Sequence, residues 1–583
     1  MVNFVKKLTL PLYESKYKEK KVGFNPNQYS LFAITRSPSP YVIILILFAI
    51  LSTGWILNCF FIGNSNNYYN YNNSELSWNE CIKPGSDTYM KFFTRVFNIY
   101  EFHHIDQNSI DLLIRSSNSN NNNEKNININ ININENIKKL NRYSKIELNS
   151  LIQVNPNFIE EAKFKHASIL KRLPQFSINL SRGNGYVMVG NKKSYWNIYL
   201  TIKLLRQLGS NYPFEIIITS INEFDDYFCS NLIKNYNAKC IMLNERLPIN
   251  ILSDMITSDQ WKTLAILSSN FQNVIYLNSN TYPVKSLDEL FDSPIFRKHG
   301  LVLWSDTNRR ETVPSFYEIQ NIKIGKPIRY LNDIYTSSKL FKTTNNQNYN
   351  DNYVSYHDRA GTIQEWTIND DFMLIDKSIY LHSLLLSLWY QNEGIDKLYP
   401  LISPSNQNLA GKETIAAAAT YMKKTYYQVS RKPTVSDING LSKIKLFINW
   451  DPINDFINLN KISSLINTDY QRLTEHFKYN YKKYFIDTFE TGEVQSTPLF
   501  YNFSPIDQIS NPIDLYNQLD DQDNINMRFL PIPPNNFDIE KYLVQYTHEI
   551  YCKWSNPWTK QLDPHSLSTL CNIYLKNHMK VLL

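Results

Sequence analysis

The chain has little excess charge, few cysteines, no repeat array and no second long apolar run. Its formal charge is +7 over 583 residues. Residues 1–40 hold seven bases (Lys6, Lys7, Lys16, Lys18, Lys20, Lys21, Arg36) and two acids (Glu14, Glu19), which leaves about +2 for everything else. So even a balance excludes the basic stripe of a nucleic-acid surface. Without repeats or a second anchor, a general surface adhesin has no support. There are six cysteines. Cys229 and Cys240 lie close together in sequence, as do Cys552 and Cys571, and each pair is a plausible disulfide of an oxidising compartment. Cys59 falls in the apolar run and Cys81 is left over; spacing alone leaves the connectivity open.

What is present begins with that run. Tyr41 to Ile62 reads YVIILILFAILSTGWILNCFFI, 22 residues with no charge, close to the ~20 that span a bilayer as a helix. Its length, and the 40 residues before it, favour an uncleaved anchor over a cleaved signal peptide or a buried core helix. The bases lie on its N-terminal side, and Glu75 and Glu80 follow it with no base before Lys83. The positive-inside rule then predicts a cytosolic tail over 1–40, an anchor over 41–62, and the remainder in a lumen or outside, as in a type II membrane protein. Sequons at Asn72 and Asn179 agree with that side. The one at Asn502 is weakened by Pro505.

Beyond the anchor the composition turns polar. Residues 117–136 read SNSNNNNEKNININININEN, too low in complexity to bury a core. The sequence predicts an Asn-rich stem over 63–160, with His103 and His104 as solvated stem residues, and a lumenal domain over 161–583. At 43% hydrophobic and 14% aromatic, the chain can bury a substantial core. From Gly185 a strand–helix alternation sets in. The expected strands are GYVMVG, FEIIIT, KCIML, NVIYL and GLVLW. The expected helices are Ser194–Gly209, FDDYFCSNLIKNY and Thr257–Asn270, followed by a Ser-x-x-Glu capping box at 286–289. Such alternation predicts an α/β fold with a mostly parallel, doubly wound sheet. In such sheets ligands bind beyond the C-terminal ends of strands. Further on, Ile375–Tyr390, Lys412–Tyr427 and Ile539–Lys553 read as helices, the last amphipathic.

The strand NVIYL ends in Asn278-Ser279-Asn280, two short polar side chains with no charge, and GLVLW ends in Ser305-Asp306. Both fall at strand ends where a ligand is expected. Gln260-Trp261-Lys262, AILSSNFQNVIYLNSNTYPV and LDELFDSPIFRKHGLVLWSD together resemble the core of the fungal Golgi α-mannosyltransferases of glycosyltransferase family 71. The match is closest to the α-1,2 branch, with the α-1,3 branch as near rival. SRGNGYVMVGNKKSYW, FMLIDKSIYLHSLLLSLWYQN, LAGKETIAAAATYMKKTYYQV and FDIEKYLVQYTHEIYCKW fit in the same order, so the resemblance covers about 166–560.

That resemblance implies a GT-A-like nucleotide-sugar domain of Rossmann-like type. It implies transfer of mannose from GDP-mannose to a mannose-containing glycan of the mannan or N-glycan outer chain. It implies Mn²⁺ at an Asp-x-Asp, where carboxylates offset the diphosphate charge, and here those positions are Asn278 and Asn280. The family's Gly-Asp-Lys-Glu becomes Ala410-Gly411-Lys412-Glu413. Its Phe-x-His becomes Phe500-Tyr501-Asn502, and its Glu-Ser-Gly becomes Asn369-Asp370-Asp371. The arginine of its opening Gly-Arg-Gly becomes Asn184, with Arg182 two residues away.

Lys262, Arg182, Lys412, Glu413, Asp376 and Lys377 are the resulting donor-binding candidates, and Trp304 is also retained. Asp306 is the candidate for holding the acceptor hydroxyl or acting as a base. Several of these have simpler readings: a solvated helix face for Lys262, a turn or cap for Asp306, a helix-dipole contact for Glu413, and a turn for the asparagines. Asp370 and Asp371 are adjacent acids that could replace lost metal ligands, with a solvated loop as the simpler reading. His382 reads as a packed helix residue. A non-catalytic member that binds glycan or a sister transferase in a Golgi complex is the alternative function.

Overall fold

A computed structural model describes residues 86–106, 143–174, 181–326, 355–468, 496–504, 511–520, 527–553 and 555–583, with 108, 328–330, 334–335 and 509. The tail, the anchor at 41–62, the tract at 117–136, Asn72, Asn179, Cys59 and Cys81 lie outside the described residues. Among the described residues no helix is long and apolar enough to cross a membrane.

The expected strands form in the expected places. They are β1 (Asn184–Gly190), β2 (Phe214–Ile218), β3 (Ala238–Met242), β4 (Asn273–Leu277), β5 (Thr281–Pro283) and β6 (Leu301–Arg309). Further on come β7 (Trp366–Ile368), β8 (Phe372–Asp376), β9 (Tyr427–Val429), β10 (Thr434–Asp437), β11 (Lys445–Trp450) and β12 (Pro498–Ser504). The main sheet runs β9-β6-β8-β4-β1-β2-β3, with β7 paired to β6. All five residues of β2 are buried, as are Val274 to Leu277 in β4. Continuous apolar runs of this kind are what a sheet covered on both faces requires. A smaller antiparallel sheet, β10-β11-β12-β5, begins just past the tip of β4.

Among the described strands of the main path, β8 alone runs antiparallel. It pairs with β4 in the register Phe372↔Leu277 and Asp376↔Asn273. It also pairs antiparallel with β6, whereas β1 and β4 are parallel, with Gly185 opposite Val274. Consequently the start of β8, not its end, reaches the C-terminal tips of the parallel strands. The sequence predicts a helix over Ile375–Tyr390; the helix there begins at Lys377 and ends at Asn392. FMLID is apolar throughout, and periodicity cannot separate a short buried strand from a buried helix. The capping box expected at 286–289 is also absent: the helix there starts at Asp288, and Leu287 caps it without a side-chain bond.

Three labelled helices matter below: α1 (Ser86–Phe102), α2 (Trp261–Ser268) and α3 (Ala410–Tyr421). The first of these corrects the stem. Phe92, Phe93, Val96, Phe97 and Tyr100 of α1 are all buried, an i, i+4, i+8 stripe with its neighbours. Tyr89 Oη donates to the Ser269 carbonyl at 3.0 Å, and Tyr100 Oη to the Leu385 carbonyl at 2.6 Å. His103 is 4% exposed, and His104 Nδ1 lies 2.9 Å from Glu393 Oε1. His103 is packed into the domain, His104 stays about half exposed at its surface, and α1 is part of the core rather than a spacer. The helices Lys145–Leu151 and Pro156–Leu170 likewise fall inside the expected stem.

Both cysteine pairs form disulfides, Cys229–Cys240 and Cys552–Cys571. The second closes a loop with a separation of 19 residues. Loop entropy for a ring of that size is about 3 kcal/mol. A Cys552→Ser/Cys571→Ser variant is therefore expected to lose stability of that order, read as a lowered denaturant midpoint at unchanged slope.

Candidate active site

The C-terminal tips of β4 and β6, the start of β8 and the first turns of α2 and α3 meet at one place. Strand pairing sets the order: with Phe372 opposite Leu277, Asp371 falls beside Asn278. The Asn278 backbone N–H donates to the Asp371 carbonyl at 2.7 Å, and Asn278 Nδ2 donates to Asp371 Oδ1 at 3.0 Å. Asn278 Oδ1 accepts from the Ser279 backbone N–H at 2.8 Å, so the residue is also the turn former that its type suggests. Asn280 Nδ2 reaches the Phe503 carbonyl at 3.4 Å.

Two lysines enter from the helices. Lys262, in the first turn of α2, is ion-paired with Asp370. Lys412, in the first turn of α3, is paired with Asp306 at 2.5 Å. The lysine side chains are 12% and 8% exposed, their partners 55% and 19%. Burial pulls the Lys262 ammonium down to about 8; the Asp371 and Glu413 carboxylates oppose that fall and Lys412 adds to it. Burial likewise pushes the Asp371 carboxyl above its usual range, against hydrogen bonds from Asn278 and Asn280 and the charge of Lys262. Asp306 raises it further. Lys262, Lys412, Glu413, Asp371 and Asp306 therefore feel one another as a single electrostatic cluster.

Under the cluster lies a layer of amides. Asn369 Oδ1 accepts from the Asp371 backbone N–H at 2.8 Å, and Asn369 Nδ2 lies 3.4 Å from Asn449 Oδ1. Asn449 Nδ2 donates to Asn502 Oδ1 at 2.9 Å, and Asn502 Nδ2 to Thr281 Oγ1 at 2.8 Å. Asn502 is 2% exposed, so this sequon asparagine serves the interior. Trp304, also buried, stacks edge-on against Phe372 and Phe500.

The structure brings together Lys262, Asn278, Asn280, Asp306 and Lys412. It adds Asp370 and Asp371, which lie on a bend before β8, Asp370 exposed as a solvated loop residue and Asp371 turned in against Asn278. Four candidates are placed elsewhere. Arg182 is exposed and its backbone N–H bonds to the Asn270 carbonyl, at the N-terminal edge of the sheet. Asp376 caps the following helix by accepting from the Ser378 backbone N–H, beside Asn273 and so at that same far edge. Lys377 is 2% exposed there, with Nζ donating to the Ser269 carbonyl at 2.6 Å. The reversal of β8 carried both to the wrong end. Glu413 lies beneath the site but is committed to structure: it pairs with buried Arg310 and accepts from the Ile368 backbone N–H at 2.9 Å. His382 is on the exposed face of its helix, with Nε2 3.1 Å from the Pro174 carbonyl.

Lys377 gives a pH test of this assignment. Burial lowers its ammonium to about 7, with Arg246 adding and Glu215 opposing. The unfolded chain then binds a proton that the folded chain releases between about pH 7 and the free-lysine value near 10.4, so this group makes stability rise with pH across that window. Lys377→Met is expected to flatten that rise in a denaturation series and to leave donor binding unchanged. A loss of donor binding in a folded variant contradicts the placement of this residue away from the site.

The residues at the asparagine tip do not fit a resident divalent cation. Asn278 Oδ1 is taken by Ser279 and its Nδ2 by Asp371. That leaves Asp371 and the amide oxygen of Asn280, one charge in all, beside a buried ammonium. Hard cations take several oxygen ligands with carboxylates among them. Among the described residues no group of three or more His, Cys, Asp or Glu is placed to hold a metal ion.

Comparison with known proteins agrees with the sequence blocks. Residues 183–442 match the family model described as "Mannosyltransferase putative". The α-1,2-mannosyltransferase MNN24 of Candida albicans is 32% identical over 317 residues, 54% of this chain and 44% of that protein. The α-1,2-mannosyltransferase MNN5 of Saccharomyces cerevisiae is 32% identical over 308 residues, 51% and 52%. The chain is similar to these fungal α-1,2-mannosyltransferases, and it spans about half the length of the curated relatives it matches. Among solved structures, the core-mannan synthase A of Aspergillus fumigatus in a Mn/GDP form is 9% identical. It covers 44% of this chain and 74% of that one, with a TM-score of 0.21. The galactosyltransferase LgtC with donor and acceptor sugar analogues is 11% identical, with 42% and 73% covered and a TM-score of 0.23.

Proposed function

We propose that this protein is a glycosyltransferase that moves mannose from GDP-mannose to a mannose hydroxyl of a mannan or N-glycan outer chain, forming an α-1,2 linkage. The observation that carries the reading is the convergence of Lys262, Lys412, Asp306, Asp370 and Asp371 at the C-terminal strand tips. That edge is where an α/β sheet takes its ligand, and the chain's relatives are named for this reaction. In the reaction the bond between the anomeric carbon and the β-phosphate oxygen breaks. The acceptor oxygen bonds to that carbon and gives up its proton, and GDP leaves with the bonding pair. Lys262 and Lys412 face the charge that develops on the leaving diphosphate. Asp306 and Asp371 are the carboxylates placed to hold the acceptor hydroxyl and take its proton. The domain is of the GT-A type on this reading, anchored by residues 41–62 as a type II protein of the Golgi membrane.

The non-catalytic alternative rests on the altered family positions, Asn184, Asn369 and Asn502 as well as the lost acids at 278, 280 and 411. Acids at 370 and 371 stand beside positions 278 and 280, and Asp259 stands beside Gly411, whose added Cβ would lie 3.2 Å from that aspartate. The test is to incubate the purified chain with GDP-mannose and α-mannose oligosaccharides and to follow both products. Transfer of mannose with release of GDP supports the proposal; intact donor, or hydrolysis without transfer, counts against it.

A further inference from the structure

Lys262 and Lys412 are nearly enclosed, and each has an acid as its counter-ion in the resting site. The acids are the more exposed partner of each pair: 55% for Asp370 against 12% for Lys262, and 19% for Asp306 against 8% for Lys412. An ammonium held in so little water needs an anion beside it. Asp370, the most exposed of the four, can turn outward to solvent, whereas Asp306 keeps its Oδ1 on the Thr307 N–H at 2.6 Å and has Oδ2 to release from Lys412; the lysines are carried in the first turns of α2 and α3. An anion arriving at the strand tips can therefore replace the carboxylates and leave the lysines in place. At the same tips the asparagine pair offers one unengaged buried oxygen, Asn280 Oδ1, which has no hydrogen-bond partner among the described residues. Asn278 has none left to offer.

We infer that the donor diphosphate binds by ion exchange. It displaces Asp370 from Lys262 and Asp306 from Lys412, and the two ammonium groups supply the neutralisation that a divalent cation at an Asp-x-Asp would otherwise supply. This rests on the nucleotide-sugar reading above and specifies how that site holds its donor. Because the carboxylates compete with the ligand, removing one should help binding. A carboxylate that held a metal for the diphosphate would have the opposite effect. The sign of a single substitution therefore separates the two schemes.

The test is calorimetric binding of GDP to the full chain, in EDTA and in Mn²⁺, for the natural sequence and for Lys262→Met, Lys412→Met, Lys412→Arg and Asp370→Asn, each first shown to melt as a folded protein. The exchange predicts binding in EDTA at an affinity similar to that in Mn²⁺. It predicts a loss of about tenfold or more in either methionine variant, the size of a charge-assisted hydrogen bond, with part of it recovered in Lys412→Arg. It predicts equal or tighter binding in Asp370→Asn. Binding that requires Mn²⁺ and weakens in Asp370→Asn overturns the exchange and keeps the transferase reading. Failure to bind GDP in either buffer overturns the transferase reading, and the exchange with it.

Discussion

Lys412→Met is expected to lower kcat/KM for mannose transfer by about 10²–10³-fold, the usual cost of removing one group that stabilises charge in the transition state. The charge that forms on the departing diphosphate is greatest as the glycosidic bond breaks, so the loss should fall on kcat more than on KM. Lys412 is held where it is by the helix that carries it. Ala410 and Gly411 are buried beside it, and Glu413 locks the same turn to Arg310 and to the Ile368 N–H. A methionine of similar length keeps the packing and deletes only the charge. Steady-state kinetics with GDP-mannose, set beside a melting curve, reads both. If kcat/KM is unchanged in a folded variant, Lys412 is only the structural partner of Asp306.

The largest stability effect is expected at Arg310→Ala. Arg310 is fully buried, and its partner Glu413 is 2% exposed at the side chain. Besides the ion pair, the guanidinium donates to the carbonyls of Gln364 and Trp366, at 2.5 and 2.8 Å. Its removal strands a buried carboxylate and takes a donor from the Gln364 carbonyl, while the Trp366 carbonyl keeps the Gln428 amide at 3.0 Å. Breaking a buried pair this way costs about 3–5 kcal/mol, a large share of the ~5–15 kcal/mol that holds a domain folded. The variant should show a lowered denaturant midpoint and poor soluble yield. Arg310→Met/Glu413→Leu, which removes both charges, should recover most of the loss. A double variant as unstable as the single one contradicts the view that the stranded charge is the cause.

The sequence made the alternation of strands and helices legible because each strand is a short run of β-branched and aromatic residues closed by a polar tip. NVIYL before Asn278 is the clearest case; GLVLW forms as well, but β6 continues through Ser305 and Asp306 to Arg309, where it pairs with β7. The direction of β8 was not legible. FMLID has no feature that distinguishes parallel from antiparallel pairing, yet direction alone decides whether Asp371 or Asp376 reaches the site. Glu413 and Lys412 are adjacent, and only the three-dimensional position of Arg310 tells the clamp from the ligand. Likewise α1 was hidden inside a polar region, though the spacing of Phe92, Phe93, Val96, Phe97 and Tyr100 carried the signal. Asp370 and Asp371 were legible as acids that could replace lost metal ligands, but their pairing with Lys262 and Asn278 was not. The signal available for them was a family position at which Glu-Ser-Gly had become Asn-Asp-Asp while two aspartates elsewhere became asparagines.

A crystal structure of the chain with GDP bound tests the central claim most directly. The account predicts the diphosphate at the tips of β4 and β6, within hydrogen-bonding reach of Lys262 Nζ and Lys412 Nζ, with Asp370 turned away to solvent. Diphosphate bound instead at the opposite edge, among Arg182, Asp376 and Lys377, would contradict both the site and the function drawn from it.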